Sequence, residues 1–218
     1  GLGTSSILAA ACVKALLEFT GIPYDEEQLY STVLCMEQIM STGGGWQDQV
    51  GGITEGIKYT TAAPGIRQNM KVHHIRLPEE TQKELGERFA LIYTGQRRLV
   101  GNYIGNEPDT VYALNEIQKA AALMAFELCR GHVDDFARLL GRHWELSQKI
   151  DKGSTNILID QIFDSISDLI DGRMICGAGG GGFLQVVLKK GISKEMLHDR
   201  LKEVFQDSDI DVWDCELI

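Results

Sequence analysis

The chain has 218 residues, 44% of them hydrophobic and 24% charged, with a formal net charge of −10. That length suits one large domain or two small ones around a real core, and the composition is that of a soluble globular protein. The acidic balance argues against nucleic acid as a partner, because a binder normally carries a basic stripe; the one tight basic cluster is Lys189-Lys190, at the end of an apolar run. No apolar run reaches the roughly 18 residues of a membrane span, and no signal peptide is evident. The cysteines Cys12, Cys35, Cys129, Cys176 and Cys215 are odd in number and form no C-x-x-C pair. Free thiols, a cytoplasmic location and no membrane partner are therefore expected.

In chain order, residues 4–19 read as a helix through Ile7, Ala11, Val13, Leu16 and Leu17, stopped by Gly21-Ile22-Pro23. Residues 25–41 read as a second helix, with Asp25 and Gln28 as a capping box and Leu29, Val33, Met36 and Met40 as its apolar stripe. The stretch 41–52 is too rich in glycine to read as helix or strand. Strands are expected over 53–60 and 71–77, a short helix over 79–87 and a strand over 89–94. Three helices follow, over 109–130 with a stripe Leu114, Ile117, Ala121, Met124 and Leu128, over 132–149 and over 156–170. The end of the chain alternates strand 173–176, a glycine loop 177–182, strand 183–188, helix 193–205 and strand 209–217. The class is α+β.

Two glycine loops carry candidate chemistry. Gly1-Leu2-Gly3-Thr4-Ser5-Ser6 runs straight into a helix, and a helix N-terminus with turned amides and hydroxyls can hold an anion. Plain capping gives the same pattern, and no Walker A lysine follows the glycines. Gly177-Ala178-Gly179-Gly180-Gly181-Gly182 matches G-x-G-x-x-G after a strand, but a second strand follows it instead of the helix that a dinucleotide fold needs. Close packing against another loop, a phosphate, or a tight hairpin all remain open for it.

Two carboxylates stand out. Glu37 interrupts an apolar helix face on the side of Leu34 and Tyr30, so it needs a partner. An arginine or a helix amide would serve, and so would Mg²⁺, which prefers hard oxygens and often takes only one or two protein carboxylates. Asp48 lies between glycines in Gly45-Trp46-Gln47-Asp48-Gln49. It suits a turn former, or a base beside a substrate hydroxyl. His73 and His74 point to opposite faces of a strand and make a poor metal pair.

Together these pieces resemble the GHMP superfamily of kinases. The first loop resembles its second motif and the 177–182 loop its third. Glu37 and Asp48 stand eleven residues apart, as do the magnesium glutamate and catalytic aspartate of mevalonate kinase-like members. Thr42-Gly43-Gly44-Gly45-Trp46-Gln47-Asp48-Gln49-Val50-Gly51-Gly52 and Tyr93-Thr94-Gly95-Gln96-Arg97-Arg98-Leu99 are similar to the fucokinase branch. The resemblance implies an α+β GHMP kinase fold: a remnant of a ribosomal S5-like N-terminal domain over 1–85, and a ferredoxin-like, helix-rich C-terminal domain over 86–218. It implies an ATP- and Mg²⁺-dependent kinase that phosphorylates the anomeric hydroxyl of L-fucose. The alternatives are a heptose-phosphate or galactose-type kinase, or a relative that binds ATP without chemistry.

The resemblance also implies roles. Gly1, Gly3, Thr4, Ser5 and Ser6 would cradle the triphosphate, with Gly179 and Gly180 supporting that loop. Ser5 and Glu37 would hold Mg²⁺. Asp48 would take the proton of the sugar hydroxyl. Trp46, Thr94, Gly95 and Arg98 would lie near the sugar. The family's upstream strand and N-terminal portion are not among these residues, so a partner portion of the same kinase is expected. By itself the chain is expected to be a poor kinase with less apolar surface buried than its composition allows.

Overall fold

The computed structural model describes residues 2–40, 45–65, 69–96, 108–177 and 179–216. The chain divides into two compact units, one of residues 2–74 and one from Ile75 onward.

In the first unit, α1 (Thr4–Thr20) starts after Gly3, whose backbone is left-handed at φ 67°. It ends in a Schellman turn: Gly21 N–H donates to Glu18 O, and Ile22 N–H donates to Leu17 O. Its buried face is Ser6, Ala10 and Val13, whereas the expected Ile7 and Leu16 are exposed, Leu16 by 64%. The helix is apolar nearly all round, so spacing alone names no face; the packing partners choose it. A second apolar stripe, Leu8, Leu16 and Phe19, faces outward, with Phe19 90% exposed.

Helix α2 (Glu26–Ile39) has the expected capping box. Gln28 N–H donates to Asp25 Oδ1 at 2.8 Å, and Asp25 N–H to Gln28 Oε1 at 3.0 Å. Leu29 and Val33 pack with Ala10 and Val13 as the core of this unit. Met40 falls beyond the helix and is exposed.

The glycine-rich stretch holds a helix, α3 (Gln47–Ile53), where no regular structure was expected. Glycine is a weak helix former, but here it makes room: a Cβ on Gly52 would lie 2.2 Å from Ile7 Cγ1. Lys58 closes the far end of α3, donating to Gly51 O at 3.2 Å and to Thr54 O. The strand expected over 53–60 therefore starts late, as β1 (Lys58–Thr61), paired antiparallel with β2 (Lys71–His74). Tyr59 stacks on His73 across that pair at 6.2 Å between ring centroids.

The second unit contains α4 (Glu79–Arg88), β3 (Phe89–Tyr93), α5 (Pro108–Cys129), α6 (Val133–Ile150), α7 (Ile157–Ser165), β4 (Ile170–Ile175), β5 (Phe183–Leu188), α8 (Lys194–Val204) and β6 (Asp211–Trp213). Its sheet has the order β4-β5-β3-β6, with every neighbour antiparallel. A β-helix-β-β-helix-β chain in that order is the ferredoxin-like arrangement. Alternate residues Ala90, Ile92, Leu184, Val186 and Leu188 face Ile159, Ile162 and Phe163 of α7 and Leu197 and Leu201 of α8. Helix α7 stops at Ser165, short of the expected 170, and β4 begins earlier than expected, because Leu169 and Ile170 join this core.

On α5 the buried positions among the described side chains are Thr110, Ala113, Ala120 and Leu128, and the expected Leu114 is 44% exposed. Small residues let α5 approach α6 closely, and that rotates the buried stripe away from the bulkier side chains. Burial pushes the Cys176 thiol up to about 11, and all five cysteines are free.

Gly172 is a sharp packing constraint. It follows a bulge in β4, and a Cβ there would lie 2.4 Å from Ala137 O, on the backbone of α6. Gly172→Ala is expected to destabilise the protein by about 1–3 kcal/mol, the usual range for overpacking. Urea denaturation checks it, and an unchanged midpoint would mean that α6 moves aside freely.

Candidate active site

The first unit brings together residues from three helices. Burial of Glu37, which is 8% exposed, is tolerable because its carboxylate is satisfied on both oxygens. Ser6 Oγ of α1 donates to Oε1, and Gln49 Nε2 of α3 donates to Oε2 at 3.0 Å. The carboxylate on the apolar face of α2 thus ties α1, α2 and α3 together. Ser6, from the expected phosphate loop, meets Glu37 directly, while Thr4 and Ser5 are exposed on the outer side of the first turn. Gly1 lies outside the described residues.

Asp48 sits in the first turn of α3, exposed to solvent. Its Cβ packs on Gly3, where an added Cβ would lie 2.8 Å away. Gly3 is therefore glycine for two reasons: a left-handed backbone and the close approach of Asp48. Loss of water on its packed side raises the Asp48 pKa above the ordinary aspartate value, and the nearby Glu37 carboxylate raises it further. Trp46 is the residue before α3 and is half-buried.

Gln49, which sequence reasoning passed over, is completely buried. Its position one residue beyond Asp48 carries no signal of its own; only the meeting of α3 with α2 reveals it. Its Oε1 has no hydrogen-bond partner among the described residues. Seryl hydroxyls, a carboxylate and an amide oxygen are hard oxygen donors of the kind that Mg²⁺ takes, and a buried acceptor without a donor suits a hydrated cation. The residues present fit that ion.

The second unit holds the other glycine loop. Gly177, Gly179, Gly180, Gly181 and Gly182 all have positive φ, a conformation only glycine adopts in series. Gly180 N–H donates to Ser154 O at 2.8 Å and Gly182 N–H to Gln96 O at 2.9 Å. Asn156 Nδ2 donates to Gly180 O at 3.2 Å. A Cβ on Gly179 would lie 2.5 Å from Ser154 Cα. The loop both packs closely against other loops and closes the hairpin of the antiparallel β4 and β5, where Cys176 N–H donates to Phe183 O at 2.8 Å. Thr94, expected near the sugar, is buried, and its hydroxyl donates to Gly182 O at 2.9 Å. Gly95 is left-handed at φ 71° and abuts Asp209. Arg98 and Ala178 lie outside the described residues.

Among the described residues one more cluster has ligand-like atoms, Glu127, His132 and Asp135. His132 Nδ1 lies 2.7 Å from Glu127 Oε2, and Arg138 already pairs with Asp135 at 2.5 Å. It is a half-buried hydrogen-bonded network at the α5–α6 corner.

Comparison with known proteins bears on the whole chain. Residues 1–56 match the model of the GHMP kinases N terminal domain. The chain is 35% identical over 211 residues to a bifunctional fucokinase/GDP-fucose pyrophosphorylase of Arabidopsis thaliana, covering 93% of this chain and 20% of that protein. It is 34% identical over 197 residues to an L-fucokinase/L-fucose-1-P guanylyltransferase of Bacteroides fragilis, covering 87% of this chain and 21% of that protein. The chain therefore spans about a fifth of the length of these curated relatives. A crystal structure of a putative sugar kinase from Campylobacter jejuni superposes with a TM-score of 0.71 at 24% identity, covering all of this chain and 62% of the other. Helices α1 to α3 thus match the GHMP kinases N terminal domain in sequence, and the α+β architecture matches that of a sugar kinase in three dimensions.

Proposed function

We propose that this chain is the phosphate- and base-bearing part of a sugar kinase that transfers the γ-phosphoryl group of ATP to the anomeric hydroxyl of L-fucose. The observation that carries the reading is the juxtaposition in one unit of Glu37, clamped by Ser6 and Gln49, with Asp48 packed on Gly3. The similarity to fucokinases along most of the chain supports L-fucose as the sugar.

Phosphoryl transfer demands positioning and charge stabilisation more than covalent help from the protein. Gly3 and the first turn of α1 offer amides and the hydroxyls of Thr4 and Ser5 to phosphate oxygens. Ser5 and Glu37 would hold Mg²⁺, with Ser6 and Gln49 fixing the Glu37 carboxylate. When bound, the ion neutralises charge on the β- and γ-phosphates. Asp48 accepts the proton of the sugar hydroxyl as that oxygen bonds to the γ-phosphorus and the bond to the ADP oxygen breaks. Its raised pKa makes it a stronger base than an ordinary aspartate. Trp46, two residues before Asp48 at the N-cap of α3, is assigned to the sugar. The remaining length of such a kinase is the partner this reading adds, and the outward apolar stripe of α1 is available to seat it.

ADP release with Mg-ATP tests the reading, on this chain and on a form extended toward its N-terminus. Turnover is expected with L-fucose in preference to D-galactose or a heptose 7-phosphate, and chiefly in the longer form. Preference for another sugar would keep the kinase and move the substrate. ATP binding without turnover in either form would make the protein a non-catalytic relative.

A further inference from the structure

Gln49 is a glutamine in a place that favours an apolar residue. It is fully buried, it sits on a short helix held against α1 and α2, and one of its two polar ends is unanswered among the described residues. The orientation of the amide follows from its neighbour. Glu37 Oε2 is an acceptor, so the amide end facing it at 3.0 Å must be the NH₂ group. The other end, Oε1, is then an acceptor that meets no donor among the described residues. An acceptor left so costs free energy comparable to a lost hydrogen bond, and the fold keeps it beside the one carboxylate that Ser6 also grips.

We propose that Gln49 is a positioning residue for the divalent cation of this site: its Nε2 fixes the Glu37 carboxylate and its Oε1 accepts a hydrogen bond from a water of the hydrated ion. This rests on the reading of Glu37 as the protein carboxylate for that ion. The chemistry fits Mg²⁺, which gives up water reluctantly and keeps several waters as it binds one or two carboxylates. A water on a cation is a strengthened donor, and a neutral amide oxygen answers it without adding a second negative charge beside Glu37. Residues that orient a metal-bound carboxylate through hydrogen bonds typically change metal affinity by about 10–100-fold when replaced. An ordered water in a polar niche would satisfy Oε1 equally well, but it would carry no dependence on the cation.

Mn²⁺ alone, titrated against the protein and read by the electron paramagnetic resonance of the free ion, gives the test. The parent is expected to bind Mn²⁺, with Glu37→Gln abolishing binding and Gln49→Met weakening it by about tenfold or more. Gln49→Glu places a carboxylate next to Glu37, so it should melt below the parent without a cation and recover in millimolar Mn²⁺. That recovery is a readout that a packing role would not move, and it stands even if Gln49→Met does not fold. Parent-like Mn²⁺ affinity in Gln49→Met, or no Mn²⁺-dependent recovery in Gln49→Glu, overturns the inference while leaving Glu37 in place. Equal Mn²⁺ behaviour of parent and Glu37→Gln overturns the Glu37 reading and this inference with it.

Discussion

Asp48→Asn is expected to lower kcat by about 10²–10⁴-fold, the usual worth of a positioned general base, without lowering the melting temperature at pH 7. The stability half follows from the direction of the Asp48 shift. Its pKa is raised in the fold above the ordinary aspartate value by loss of water and by the Glu37 carboxylate. The folded state thus holds the proton more tightly than the unfolded chain. The stabilising contribution is fully present below the unfolded value and is lost as pH rises through the raised folded one. Once ionised, the side chain works against the fold, and the isosteric amide relieves that. A residue kept at a cost to stability is the usual mark of a functional one.

The same shift sets the acid limb of the pH–rate profile. The base must be ionised, so kcat/KM should fall with decreasing pH through a value above the ordinary aspartate range. The pH–rate profile of the parent, together with thermal melts of the parent and Asp48→Asn, checks both halves. Parent-like turnover in Asp48→Asn would remove the base role. Loss of turnover with a markedly lower melting temperature would make Asp48 a former of the α3 turn.

Arg88→Ala is expected to be the most destabilising single change in the second unit, by about 3 kcal/mol. Arg88 ends α4 and is 4% exposed. Its Nη1 donates to Glu84 at 2.5 Å and to Asp134 at 2.6 Å, its Nη2 to Asp171 at 2.9 Å, and its Nε to Leu188 O at 2.7 Å. One guanidinium therefore joins α4, α6, β4 and β5. Removing it leaves three carboxylates around an empty volume, with the exposed Lys190 near Glu84 and Asp134 as their remaining cation among the described residues. The figure is placed at the low end of the range for broken buried pairs because Asp134 and, less so, Asp171 and Glu84 reach solvent. For a chain of this size that is a fall of roughly 6–12 °C in melting temperature.

Arg88→Lys should recover only part of the loss, since an ammonium cannot reproduce the planar fork. The hydrogen bond from Arg88 holds Asp134 below the usual carboxylate range. Its stabilising contribution is present above the unfolded pKa and is lost as pH falls through the depressed folded one. Stability of the parent should therefore decline more steeply on acidification than that of Arg88→Ala. Guanidinium chloride denaturation at pH 7 and pH 3 measures both effects. A loss below about 1 kcal/mol would place the cluster among ordinary surface pairs.

Much of this protein is written in near-neighbour chemistry. Asp25 and Gln28 announce the start of α2 because a capping box closes within four residues. Gly21 ends α1 because a left-handed residue is a local need, and the glycines of 177–182 mark a non-helical loop between strands before any contact is known. The motif residues Gly3, Glu37 and Asp48 are likewise visible from residue type and spacing. The four-stranded sheet was legible as separate strands, but its order depends on pairings such as Tyr93 with Phe183, ninety residues away.

What only the tertiary structure decided concerns choices that the local sequence leaves balanced. Helix α1 is apolar on several faces, and α2 and α3 select Ser6, Ala10 and Val13 over Ile7 and Leu16. Glycines 51 and 52 argue against a helix, yet α3 forms because the missing Cβ of Gly52 lets Ile7 come close. Gln49 and Arg88 are single polar residues without a motif, and each is defined by partners on other elements. Capping and periodicity act over one turn of chain, whereas close approach and the pairing of a buried polar group are set by whichever distant segment fills the space opposite.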